Sequence, residues 1–218
     1  MKRLIGPFLL SFTLFVILIA LGVWQVVRLQ WKEGLLAEIA TAQANPPIPL
    51  GAAPRQFTKV FVTGRWDAGH AVLYGTDVRN DRLGAFLIEP LLRDGAPPLW
   101  VDRGFVPDGA GLPRDAGVAT VTGYIREPDH AHWWGVKDDL RERHFYTLNP
   151  AAIASELGTA APAPYTLVAM GGNPGAFPEA AQAFPDLSNN HLSYAITWFS
   201  LALVDLVIFA ISSRGRRA

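Results

Sequence analysis

Near the end of the chain, residues 192–212 read LSYAITWFSLALVDLVIFAIS, an apolar run with a single charged side chain, Asp205. A second apolar run, LIGPFLLSFTLFVILIALGVWQVV, occupies residues 4–27. A helix of about 20 apolar residues is long enough to cross the hydrocarbon core of a bilayer. The sequence therefore predicts a membrane protein with two terminal transmembrane helices, at residues 4–27 and 191–212, flanking a soluble domain at residues 28–190.

The distribution of Lys and Arg predicts the orientation of these helices, because cytoplasmic segments of membrane proteins are rich in both. Tails 1–3 and 213–218 hold five of the 19 basic residues and no acidic one, whereas residues 28–190 hold 14 basic and 18 acidic residues. We expect both tails in the cytoplasm and the domain outside. The first apolar run is too long for a cleaved signal peptide, and only three residues precede it. We therefore expect a two-pass protein of a bacterial inner membrane with a periplasmic domain.

The composition excludes several functions. Cysteine is absent, which excludes disulfides, thiol catalysis and Cys-ligated zinc or iron–sulfur clusters. A formal net charge of zero without a basic run argues against a nucleic-acid partner. The chain contains no Gly-x-Ser-x-Gly elbow, no phosphate-binding glycine loop with lysine and no His-Glu-x-x-His motif. We expect a protein that is not an enzyme.

The segment between the two apolar runs changes from a helical pattern to a strand pattern along its length. Residues 28–44 repeat apolar side chains near helical spacing and predict an amphipathic arm that continues the first helix until Asn45-Pro46-Pro47 stops it. Short runs bounded by Gly, Pro and Asp follow, and predict strands at 58–67, 71–74, 84–92, 98–106, 120–126, 145–148 and 165–170. Asn149 and Pro150 predict the start of a short helix over 151–157. We expect a mostly antiparallel β domain of the α+β class.

His191 is the strongest candidate for a site. On a helix it shares a face with Tyr194 and Trp198, and imidazole is a common axial ligand of haem iron. A simple polar cap at the membrane interface is the alternative. Trp24 and Gln25 lie near the outer end of the first apolar run, so we expect the two helices to pack together with both side chains facing His191. Gln25 can then hold the ring nitrogen that does not face iron.

Other polar residues allow two interpretations each. His130 and His132 can ligate a metal if they share a strand face, or belong with Trp133-Trp134 to a loop at the membrane surface. Arg103 forms either a surface ion pair or a contact with a haem carboxylate, and the surface ion pair is favoured. Asp138-Asp139 reads as a turn rather than an acid–base pair. His70 and His144 have no clustered partners and are interpreted as structural.

Asp205 lies fourteen residues after His191, which returns it to nearly the same helix face past the bilayer centre. An acid at that depth is costly, so it should face protein rather than lipid. Antiparallel helices bring it level with Ser11. We expect a protonated Asp205 hydrogen-bonded to Ser11 as a helix-pairing contact, with a polar group on a partner protein as the alternative.

Several motifs together resemble the Surfeit locus protein 1 family, the cytochrome c oxidase assembly factors called Shy in yeast. They are LGVWQVVRLQWK at 21–32, VTGRW at 62–66, LYG at 73–75, GAFLIEP at 84–90, WVDRGFVP at 100–107, FYT at 145–147 and NNHLSYAITWF at 189–199. The resemblance implies haem a binding by His191 and delivery of the haem to the oxidase catalytic subunit. Implied partners are that subunit, the haem a synthesis machinery and the bilayer. A cofactor-free scaffold that docks the nascent oxidase subunit is the alternative.

Overall fold

The structure is a computed structural model that describes residues 2–113, 117–130, 133, 135–173 and 175–215. The chain forms two compact units. One is made by the two ends of the chain, up to Ala40 and from Asp186 onward, and the other by Thr41–Pro185. The first unit therefore contains the helical ends of the chain, and the second contains the strands.

The helices are α1 (Lys2–Ala44), α2 (Pro150–Leu157) and α3 (His191–Gly215). The strands are β1 (Ile48–Pro49), β2 (Lys59–Trp66), β3 (Val72–Arg79), β4 (Arg82–Arg93), β5 (Ala96–Pro107), β6 (Val118–Arg126), β7 (His144–Phe145) and β8 (Thr166–Ala169). A single 3₁₀ turn, Ala68–His70, separates β2 from β3 in the described residues. Both α1 and α3 are long and apolar enough to cross a membrane, as the sequence predicts.

Helices α1 and α3 pack antiparallel along stripes of buried and half-buried side chains. The stripes recur at alternating steps of four and three residues, at positions 11, 15, 18, 22, 25 and 29 of α1 and 191, 195, 198, 202 and 205 of α3. This is the heptad spacing of paired helices. Gly22 permits close approach, because a Cβ there would lie 2.5 Å from the ring of Phe199. Helix α1 ends at Ala44, immediately before Asn45-Pro46-Pro47, which confirms the predicted stop.

The strands form one sheet in the order β1-β2-β6-β8-β5-β4-β3-β7. Strand β2 also pairs with β4, through Arg65 opposite Leu92 and Trp66 opposite Leu91. This second pairing closes β2, β6, β8, β5 and β4 into a five-stranded ring. The ring encloses one apolar core, and α2 covers a second cluster on the outside. The enclosed core contains Val60, Val62, Trp66, Leu91, Leu99, Val101, Val121, Ile125 and Leu167, and the outer cluster contains Val72, Ile88, Trp100, Phe145, Leu148 and Ile153.

The prediction of a mostly antiparallel sheet is wrong, since the sheet is mixed. Strand β1 pairs parallel with β2, β7 with β3, and β8 with β5. The last of these pairs arises because β8 inserts between β5 and β6, parallel to β5 and antiparallel to β6. A parallel pair needs a long crossover between its strands, and here the intervening chain includes α2. Nothing in the local alternation of β8 reveals the direction of its neighbours.

The predicted strands and short helix are otherwise present, with changed ends. Each of the seven predicted strands overlaps an observed one, whereas β1 was not predicted. Strand β3 continues beyond Tyr74 through a bulge at Gly75, where φ is 63°. Helix α2 begins as predicted, because Asn149 Oδ1 accepts a hydrogen bond of 3.2 Å from the Ala152 amide. Gly158 ends it in the left-handed conformation.

Candidate functional site

The imidazole of His191 is held at the first residue of α3. Its Nδ1 lies 2.7 Å from Gln25 Oε1 on α1, and Gln25 is only 8% exposed. An amide oxygen only accepts hydrogen bonds, so Nδ1 carries the hydrogen and donates it. The other ring nitrogen, Nε2, then presents its lone pair. This tautomer is the one that ligates a metal through Nε2. The structure thus confirms the predicted pairing of Gln25 with His191.

Aromatic side chains lie within seven residues of this contact on both helices. Tyr194 and Trp24 are 55% and 56% exposed. Trp198 is half-buried, and its Nε1 is buried without a hydrogen-bond partner among the described residues. With the half-buried imidazole, the exposed rings of Trp24 and Tyr194 give this end of the helix pair an aromatic, largely apolar surface. Such a surface suits a planar macrocycle that contains a metal.

A second polar contact joins the same helices. Ser11 Oγ donates a hydrogen bond of 2.9 Å to Asp205 Oδ2, as the sequence analysis predicts. Both side chains are half-buried and lie on the paired stripes. Asp205 is therefore hydrogen-bonded within the helix pair, where Ser11 replaces part of the solvation that the acid would have in water.

Arg103 lies in the sheet unit, on β5. Its Nη1 donates a hydrogen bond of 2.6 Å to Glu89 Oε2, and its guanidinium lies 4.4 Å from the centre of the Trp66 ring. The side chain of Glu89 is fully buried and that of Arg103 is 14% exposed. The predicted ion pair is present, but it is not the surface pair that the sequence favoured, because its acid is buried. The contact of Arg103 with a haem carboxylate stays a prediction.

A half-buried network on the outside of the ring was not predicted from the sequence. Arg126 Nη2 donates to both Tyr74 Oη and Asp129 Oδ1 at 2.9 Å, and Tyr74 Oη donates to Asp129 Oδ2 at 2.9 Å. Burial raises the pKa of Asp129, but the hydrogen bond from the Leu148 amide and the nearby Arg126 outweigh it, so the net pKa is lowered. The only local signal was the three-residue spacing of Arg126 and Asp129.

Asp102 is a buried acid on the same side of the sheet. Burial raises its pKa to about 6, against the opposing effects of the Gly104 amide, which donates to Asp102 Oδ1 at 3.0 Å, and of the Arg126 and Arg79 charges. Its motif was noted in the sequence, but its burial was not predicted. A buried carboxyl of this kind makes stability depend on pH.

The other histidine candidates have separate surroundings. His130 lines an open cleft of about 550 Å³ beside Arg126 and Tyr146, while His132 lies outside the described residues. The described part of the chain contains no cluster of three or more potential metal ligands. His70 Nδ1 lies 2.7 Å from Asp67 Oδ2, a partner that was not predicted.

Asp139 Oδ1 accepts from the Arg141 and Glu142 amides, and Asp138 Oδ1 accepts from the Tyr146 amide. These contacts confirm the turn.

Comparison with known proteins gives consistent matches over most of the chain. The model of the SURF1 family matches residues 12–203. A SURF1-like protein of Monosiga brevicollis is 28% identical over 91% of this chain and 84% of its own length. A SURF1-like protein of Rickettsia conorii is 27% identical over 94% of this chain and 90% of its own. The cytochrome oxidase assembly protein SHY1 of Saccharomyces cerevisiae is 33% identical, over 44% of this chain and 27% of its own length.

Proposed function

The chain belongs to the SURF1 family, and we propose that it assists the assembly of a haem-copper oxidase by holding haem a and passing it to the oxidase catalytic subunit. The family resemblance predicted from the sequence motifs is thereby confirmed. The name of the yeast relative, a cytochrome oxidase assembly protein, supports the assembly role and a non-catalytic function. The haem role rests on one observation, the contact of 2.7 Å between His191 Nδ1 and Gln25 Oε1.

The residues at this contact fit haem as cargo. His191 would hold haem iron through Nε2, and Gln25 would fix the orientation of the imidazole. Trp24, Tyr194 and Trp198 supply aromatic surface for the apolar macrocycle. A bound haem would supply an iron centre for the imidazole to coordinate. The protein's own part is to orient the imidazole and to present apolar surface beside it.

The proposed location is a bacterial inner membrane, with both termini in the cytoplasm and the sheet unit in the periplasm. Two helices of sufficient length and hydropathy, the basic tails and a bacterial relative support this arrangement. The bilayer would cover the exposed apolar faces of α1 and α3. The proposed protein partners are the oxidase catalytic subunit and the machinery that synthesises haem a.

Expression of the full chain in cells that synthesise haem a tests the proposal. The protein is purified from membranes and its absorption spectrum recorded, with cells lacking haem a synthesis as the control. We expect a haem a band that is absent from the control preparation. Protein that accumulates normally and carries no haem, while still supporting oxidase assembly, would contradict haem carriage and favour the cofactor-free scaffold.

A further inference from the structure

We infer that Arg28 binds the carboxylate edge of the ligand held by His191, an inference that rests on the proposed function. Arg28 is three residues beyond Gln25 on α1, so it lies within about 60° of the same helix face and about 4.5 Å along the axis. It is exposed, and its guanidinium lies 4.1 Å from the centre of the Trp31 ring.

Arg28 and Tyr194 lie on the same side of the pair formed by α1 and α3. Tyr194 follows His191 by three residues, as Arg28 follows Gln25, so each is offset by about 60° from the paired stripe. Because α1 and α3 run antiparallel, equal offsets in chain order point to one common side. Trp24, one residue before Gln25, lies on this side too, and the imidazole of His191 is half-buried.

The polarity of this side changes along the axis of the pair. Tyr194 lies deeper than His191, toward the centre of the apolar runs, whereas Arg28 lies at the opposite, outer end. Haem has the same asymmetry, with an apolar ring and carboxylates at one edge. A ring ligated by His191 with its apolar part toward Tyr194 therefore directs its carboxylates toward Arg28.

Arg28 has the chemistry for this contact. A planar guanidinium matches a carboxylate with two parallel N–H donors, and stacking on Trp31 limits the positions that it samples. No Asp or Glu of the described ranges forms an ion pair with Arg28. Arg103, in contrast, is already paired with Glu89. A lipid phosphate is the other anion that an arginine at a membrane surface contacts.

A comparison of ferric haem a with its dimethyl ester distinguishes a haem carboxylate from a lipid phosphate as the partner of Arg28. The ester has the same ring and iron but lacks the negative charges of the carboxylates. Full-length wild-type protein and the Arg28→Gln, Arg28→Lys and Arg55→Gln variants are titrated with each ligand in lipid nanodiscs, and Kd is read from the absorbance change. Arg55→Gln removes the same charge from an exposed position of the sheet unit. For Arg28→Gln we expect Kd for free haem to rise about fivefold and Kd for the ester to stay unchanged. Arg28→Lys should lie between, and Arg55→Gln should match wild type.

Equal changes for the two ligands, or no change for either, would overturn the assignment of Arg28 and favour a lipid phosphate as its partner. Failure of the wild-type protein to bind either ligand would instead contradict the proposed function. The two failures are therefore distinguishable.

Discussion

The hydrogen bond from Ser11 to Asp205 lies fourteen residues along each helix from the contact between Gln25 and His191. Fourteen residues are two heptads, so both contacts fall on the same paired stripe. The helices are thus joined by a polar contact at two depths, with small residues such as Gly22 and Ala202 packed between. This register places His191 opposite Gln25 rather than opposite an apolar side chain.

We expect Asp205→Asn to have almost no effect on oxidase assembly and Asp205→Leu to be mildly destabilising, because the acid pairs helices and an amide keeps an acceptor for Ser11. A double-mutant cycle with Ser11→Ala, measured by unfolding in detergent, should give a coupling of about 0.6 kcal/mol. A strong assembly defect of the Asn variant at normal protein levels would show that Asp205 instead meets the oxidase subunit.

We expect Gln25→Leu to weaken haem binding about tenfold, because the imidazole loses the acceptor that fixes its tautomer and orientation. The measurement is Kd from absorbance titration of the full chain. Gln30→Leu, the same change at an exposed position of α1, is the control and should bind like wild type. Equal affinities of the Gln25 variant and this control would argue that Gln25 does not position the ligand.

The stability of the sheet unit should depend on the protonation of Asp102. Its pKa is raised from 3.8 to about 6, so the folded state binds this proton more tightly than the unfolded chain. The resulting stabilisation is fully present below pH 3.8 and is lost as the pH rises through about 6. Asp102→Asn carries no charge and keeps the acceptor for the Gly104 amide.

We compare the unfolding free energy of the Asn variant with that of wild type. The difference, variant minus wild type, should increase by up to roughly 3 kcal/mol between about pH 4 and pH 7.5, because only wild type loses stability. Chemical unfolding across this range measures it, and Asp94→Asn is an exposed control. A difference that stays constant with pH would contradict the raised pKa of Asp102.

Gly104 should not tolerate a side chain. Its φ is 116°, and a Cβ would collide with the carbonyl of Glu179, whose oxygen also accepts the Phe105 amide hydrogen bond. We expect Gly104→Ala to cost at least about 2 kcal/mol and to lower Tm by about 5 °C or more. Gly111→Ala, which has open space around its Cα, should melt within about 1 °C of wild type. Similar melting of the two variants would contradict this account of Gly104.

The helical unit could be predicted almost completely, because the pairing of two antiparallel helices depends mainly on their register along one axis. The rise per residue and the turn of about 100° were enough to set Ser11 against Asp205 and Gln25 against His191. Helix ends were also predictable, since Asn45-Pro46-Pro47 and Asn149 act locally.

The sheet unit could not be predicted to the same depth. Strand order depends on pairing between distant segments, and β8 has only four residues to signal its position. The network of Tyr74, Arg126 and Asp129 exists only because β3 and β6 lie near each other in the folded sheet. Asp102 likewise lies opposite Val168 of β8, a residue from a distant part of the chain. Alternating residues identify a strand but not its neighbours.

The most direct test of the central claim is the haem content of His191→Ala, measured per mole of protein purified from membranes of cells that synthesise haem a. The account predicts that haem is lost or sharply reduced while the variant accumulates like wild type, because the remaining contacts of α1 and α3 are unchanged. Undiminished haem in a normally accumulating His191→Ala protein would contradict the assignment of His191 as the iron ligand.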